Sequence, residues 1–141
     1  MAGMEGLGRL VDVVPIAAGQ AFKFRGASAV LFVCTAADTF TITGSGTFGG
    51  SYTSPGNIIS HFYQRADTNA THAWTLQTQA ASNAVVQANA GYTTAFEVLT
   101  SMFADPNDYI KVSVSGSGLV TAILHDLTVQ RKPANLEILG A

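Results

Sequence analysis

Hydrophobic and polar residues alternate with a period of two along most of this chain. Successive side chains of a strand point to opposite faces, so that period predicts strands with one buried face. Phe22 and Phe24 alternate with Lys23 and Arg25 and stop at Gly26. Val30 to Val33 is apolar on both faces, as a central strand should be. Phe40 and Ile42 alternate with Thr39, Thr41 and Thr43, and Trp74 and Leu76 open another strand. Ser82-Asn83 makes a turn into Ala84 to Ala90, and Phe96 and Val98 flank Glu97. Asp105-Pro106-Asn107-Asp108 is a strong turn signal. Ile110, Val112 and Val114 alternate with Lys111, Ser113 and Ser115, after which Gly116-Ser117-Gly118 turns the chain into Leu119 to Val129.

That last segment breaks its own parity. Val120, Ala122 and Leu124 share one face, whereas Leu127 and Val129 fall on the other. A β-bulge at His125-Asp126 would restore a single apolar face. One or two helical turns fit near Leu99 to Ala104, with Leu99, Met102 and Phe103 inward, and Ile58 to Arg65 reads ambiguously. About seven to nine short strands without a long helix predict an all-β fold, a single jelly-roll-like β-sandwich. We assign residues 20–130 to the sandwich, 1–19 to an extended N-terminal arm and 131–141 to an extended C-terminal arm. The first arm carries an apolar patch, Val11 to Ile16, interrupted by Asp12 and Pro15.

Composition narrows the function. A chain of 141 residues suits one domain, and 7 basic against 9 acidic residues offer no footprint for nucleic acid or a membrane surface. The most apolar stretch, Ala27 to Ala37, is far short of the roughly 20 residues a membrane span needs. Glu5 and Asp12 stand where a signal peptide would be basic and then apolar, so synthesis in a cytoplasm is expected. Only 11% of the residues are charged while 48% are hydrophobic. Between Gly26 and Phe96 the ionisable residues are Asp38, Arg65 and Asp67, besides His61 and His72. Threonine, serine, asparagine and glutamine replace charge there. A partner covers such side chains at modest desolvation cost, which points to a surface occupied by neighbours.

Candidate chemistry is sparse. Gly44-Ser45-Gly46-Thr47-Phe48-Gly49 matches the spacing of a dinucleotide loop, but Ser54-Pro55-Gly56 falls where the required helix should run. His61, His72 and His125 lack metal-ligand spacing, and Asp105, Asn107 and Asp108 lack the pattern of a calcium loop. Cys34, the lone cysteine, sits in a core-like run and reads as a buried thiol. No catalytic residue, metal site or cofactor is assigned, and an enzyme is not expected. Trp74, Tyr52, Tyr63 and Tyr92 are the residues that would build a sugar-stacking platform, the alternative of a carbohydrate-binding β-sandwich module.

The stretches Trp74-Thr75-Leu76, Gln79 to Asn83, Phe96-Glu97-Val98, Asp108 to Val112 and Ser117 to Leu127 resemble small virion proteins of tailed bacteriophages. The type they are most similar to is the capsid decoration, or cement, protein. The resemblance spans residues 72–131 and rests on a strand pattern, not on a catalytic signature. It implies a non-enzymatic β-sandwich on the outside of the capsid, bound to the major capsid protein, often as a homo-oligomer, and reinforcing the shell. A tail-tube or head-completion protein is the alternative within virion proteins. A tube subunit needs a long hairpin, for which the loop from Gly44 to Asn57 is the available segment.

Partner-contact candidates come from the arms: Leu136, Ile138 and Leu139 at one end, and Val11, Val13 and Val14 at the other. Pro133 ends strand pairing, leaving the three C-terminal side chains without an adjacent strand. Burying them is worth roughly 1.5–3 kcal/mol each, whereas ordering the arm costs about 1–2 kcal/mol per residue. Backbone hydrogen bonds to a neighbouring subunit would have to supply the difference, so residues 134–141 are expected to lie against another chain. Deleting residues 133–141 should leave a folded monomer that no longer attaches or oligomerises. Occupancy on assembled heads measures this, and unchanged occupancy would refute it.

Overall fold

The computed structural model describes residues 11–16, 19–129 and 133–140. Among them, the strands are β1 (Val11–Ile16), β2 (Ala21–Lys23), β3 (Ala27–Thr35), β4 (Thr39–Ser45), β5 (Ile59–Arg65), β6 (Thr75–Ser82), β7 (Ala84–Val86), β8 (Thr93–Leu99), β9 (Tyr109–Val114) and β10 (Val120–Leu127). A six-stranded sheet runs β1-β10-β3-β8-β5-β6, and a four-stranded sheet runs β2-β9-β4-β7. Every strand pairing among the described residues is antiparallel. The protein is an all-β sandwich.

The order of pairing is regular. β1 pairs with β10, β2 with β9, β3 with β8, β4 with β7, and β5 with β6. Successive pairs fall alternately in the larger and the smaller sheet. The chain is therefore one long hairpin rolled over itself, which is how a jelly-roll is wound. The β5–β6 pair is the tip of that hairpin, added beside β8.

Period-two patterning explains the core. Val30, Phe32 and Cys34 of β3 face inward beside Val98, Phe96 and Thr94 of β8 and Leu124, Ala122 and Val120 of β10. Phe22, Phe40, Ile42, Ile110 and Val112 meet them from the smaller sheet. Phe22 and Phe32 join the two layers edge to face at 6.2 Å, and Phe24 meets Phe103 likewise at 4.8 Å. Arg25 closes the rim by donating to the carbonyls of Asn107 and Thr100 and pairing with Asp108 at 3.5 Å.

Several elements differ from the sequence reading. Val11–Ile16, grouped there with the N-terminal arm, forms β1 and belongs to the sandwich. Ile59–Arg65 is a strand, paired antiparallel with β6 and β8, and a bulge beside Ile59 breaks its alternation of buried and exposed residues. The helical piece is a single 3-10 turn, Thr100–Met102, with Phe103 buried and Leu99 and Met102 exposed. The β10 parity change needs no inserted residue, because His125 still pairs with Ala29 and Leu127 with Ala27. Asp126 adopts a left-handed backbone instead (φ 54°), and Leu127 then packs against the core.

One buried polar cluster ties the layers. Gln87, 2% exposed, donates to Thr94 Oγ1 at 3.0 Å and to Gln64 Oε1 at 3.1 Å, and accepts the Asn89 N–H at 3.0 Å. Gln87→Leu leaves the Thr94 hydroxyl buried without this partner. We expect it to lower stability by about 1–3 kcal/mol, and adding Thr94→Val to recover part of the loss. Urea unfolding of the two variants measures both steps.

Candidate functional site: the outer face of the six-stranded sheet

The residues that alternate with the core set form the outer surface of each sheet, and the two surfaces differ in chemistry. On the smaller sheet, Thr41 lies opposite Ser113, Thr43 opposite Lys111, and Tyr109 opposite Lys23 and Ser45. That face is mostly polar, with Val86 of β7 exposed at its edge opposite Thr39.

On the larger sheet, the registers line side chains up in rows across the strands. Val11, His125, Ala29 and Leu99 form one row, and Val13, Ile123, Leu31 and Glu97 the next. A third crosses all six strands: Pro15, Thr121, Val33, Ala95, Tyr63 and Leu76. Val13, Leu99, Tyr63 and Leu76 are exposed, and Val11, Leu31, Val33, Ala95 and Ile123 half-buried. Two of the rows span four strands and the third all six, so the apolar positions run contiguously across the sheet. Contiguous exposed apolar surface on a soluble domain is a common mark of an interaction site.

A groove of about 330 Å³ cuts into this face. The β5–β8 register runs from Arg65↔Thr93 to Tyr63↔Ala95, and the groove opens where it ends, between His61 and Tyr63 on one side and Glu97, Leu99 and Met102 on the other. Leu31 and Ala95 also line it. Its titratable lining groups are His61, Tyr63 and Glu97.

Near the middle of the face the charged groups are paired. His125 Nε2 lies 3.0 Å from Glu97 and its Nδ1 lies 2.9 Å from Asp126. Burial alone would lower the imidazole's pKa, but the hydrogen bonds and charges of Asp126 and Glu97 outweigh it and raise the pKa above its ordinary 6.5. At the far margin, the Arg65 guanidinium stacks 4.6 Å from the Trp74 ring centroid.

The sequence-derived contact residues separate. Val11 and Val13 lie on the apolar face, whereas Val14 points inward and packs against the core. Leu139 also packs against the core, and its carbonyl accepts the Lys23 N–H at 2.8 Å along the edge of β2. Leu136 and Leu139 line a cavity of about 90 Å³ with Leu124, Leu127 and Asp12. Burial there pushes the Asp12 carboxyl pKa up. Ile138 is 82% exposed. Residues 1–10, 17–18, 131–132 and 141 of the two arms lie outside the described residues. The four aromatic candidates divide too: Tyr63 lies on β5 and Trp74 just before β6, Tyr92 is half-buried in the turn before β8, and Tyr52 sits under Lys111 of β9 at 5.3 Å.

Sequence reasoning missed Leu31, Val33, Leu76, Ala95 and Ile123 as surface, and named Tyr63 only as part of a sugar-stacking platform. The signal was present. Val30 to Val33 and Ala122 to Leu124 are apolar on both faces, and in an antiparallel sheet the second apolar face must be covered or stay exposed.

No family model matches the chain, and no curated protein matches it. Among solved structures it is similar to the SPBc2 prophage-derived protein YomS, with a TM-score of 0.40 and 10% identity. That likeness covers 82% of this chain and 94% of the other.

The His125 cluster makes a signed prediction. A histidine whose folded-state pKa is raised adds stability that is complete below the unfolded value, about 6.5, and lost as pH rises through the folded value. Both carboxylates are solvated, so the contribution is at most about 1 kcal/mol. The stability difference between the native protein and His125→Asn should therefore shrink as pH rises from 6 to 9. A difference that stays constant in chemical denaturation would contradict the assignment.

Proposed function

We propose that this protein is a non-enzymatic structural component of a tailed-phage particle that binds the outside of the capsid and reinforces it. The observation that carries the reading is the apolar outer face of the six-stranded sheet, with its one His125-centred charge cluster. A jelly-roll by itself hosts viral coat proteins, lectins and enzymes, so the argument rests on the surface. Covering Val13, Ile123, Leu31, Val33, Tyr63 and Leu76 releases water from contiguous apolar area. Few charges have to be desolvated to do so, and the association is favoured by burial rather than by charge attraction.

The partner is a flat, uncharged surface of the major capsid protein, and the polar sheet with its threonines and lysines faces solvent. The likeness of residues 72–131 to cement proteins supports this reading, since that span supplies β8, β10 and the outer strand β6. In the larger groove Glu97 is already engaged by His125, which leaves His61 and Tyr63 as the other titratable lining groups and favours a role in binding over one in catalysis.

Ile123→Lys places a charge in the middle of the face while the inward side of β10 is untouched. We expect a normally folded protein that binds heads at least tenfold more weakly, the equivalent of about 1.4 kcal/mol. Thr41→Lys, on the polar sheet, should bind as the native protein does. Equal occupancy of Ile123→Lys on decoration-free heads would overturn the contact surface. Heads without the protein that resist heat and low salt as well as decorated ones would overturn the reinforcing role.

A further inference from the structure

Four strands bound the two sheets, and three of them carry devices that prevent a further strand from adding. β1 contains Asp12 and Pro15. β2 is three residues long and its edge is engaged by the Leu139 carbonyl. β7 is also three residues long. Short strands, edge charge, proline and cover are the usual protections of a sheet edge.

β6 differs. Its eight residues, Thr75–Ser82, include no charge and no proline, and among the described residues no strand pairs along its outer side. The one irregularity is a bulge opposite Ile59–His61, spanned by Gln79, which donates to the carbonyls of Ile59 (3.1 Å) and Ala84 (2.8 Å). The half before the bulge, Thr75 to Thr78, pairs regularly with β5 and presents a straight edge.

We propose that this edge pairs antiparallel with β6 of a second copy, about a twofold axis through Leu76. Such an axis, perpendicular to the sheet, keeps both outer faces on the same side. It requires directly opposed residues to share a face, which places Leu76 against Leu76 and Thr75 against Gln77. Leu76 is 54% exposed in one copy, beside exposed Tyr63, and gains an apolar neighbour across the axis. No like charges are opposed, so self-pairing meets no repulsion. The protected β1 edges lie at the two outer ends, so growth of the joined sheet stops at two copies and does not run on into a fibre.

The test uses the whole protein without heads, so its failure is separable from failure of head binding. Sedimentation should show a concentration-dependent dimer, and Leu76→Lys should raise its dissociation constant at least tenfold without lowering the unfolding midpoint. Leu76→Cys should yield a disulfide-linked dimer on mild oxidation, whereas Thr41→Cys should not. Cys34 is buried, with its thiol pKa pushed well up, so it stays silent in that assay. A protein that is monomeric at all concentrations overturns the proposal. So does a dimer that Ile123→Lys disrupts and Leu76→Lys leaves intact, because association would then use the face and not the edge.

Discussion

Each strand of this protein pairs with its counterpart from the other end of the chain, β1 with β10 through to β5 with β6, and the remaining structure depends on that nesting. Because successive pairs alternate between layers, β3 and β10 lie side by side in the larger sheet although their sequences are far apart. Their residues face alternately into the core and outward, so the register that buries Phe32 with Ala122 also sets Leu31 beside Ile123 on the surface. A slip of one residue would exchange the two sets. The inner faces are aromatic and tightly buried, so the register is specified from inside and the outer apolar rows follow from it. Such non-local pairing also closes long loops before most contacts form, which favours slow folding.

The sheets were legible where one face is polar. β4 and β9 alternate threonine, serine or lysine with large apolar residues, and the structure buries the expected set, Phe40, Ile42, Ile110 and Val112. The apolar face was illegible for the opposite reason. A strand apolar on both sides reads as fully interior, and sequence does not say whether a second layer covers the outer side. β1 was hidden by Asp12 and Pro15, which break its pattern because it is an edge. The Asp126 turn was anticipated at the right residue but with the wrong device. A left-handed backbone redirects a strand end without changing the register, and aspartate is among the residues that tolerate it.

Charge placement completes the division of labour between the faces. Lys23 and Lys111 stand on the smaller sheet, with the Lys23 ammonium 2.7 Å from Glu137. Asp38 is spent on the β9–β10 turn, accepting the Gly118 N–H at 2.6 Å, where a Cβ on Gly118 would collide with the Thr35 carbonyl. Asp67 organises the β5–β6 loop through Ala70, Thr71 and His72, and these hydrogen bonds outweigh desolvation and hold its carboxyl well below the usual range. The few charges between Gly26 and Phe96 therefore serve turns and loop margins. A low charged fraction is thus compatible with a well-ordered surface.

The C-terminal segment shows how the same physics divides one short stretch. Sequence energetics demanded more than the burial of three side chains to order it, and its own domain supplies part of that. Leu139 joins the core and its carbonyl completes a bond to the β2 backbone, while Leu136 lines a small cavity beside Leu124. Removing the segment would consequently uncover the β2 edge as well as any partner contact. Ile138 projects away from all of this, held between the Glu137 ion pair and the Leu139 anchor. An isoleucine presented between two fixed neighbours has already lost much of its backbone entropy. A partner that covers it therefore gains its burial with little further ordering cost.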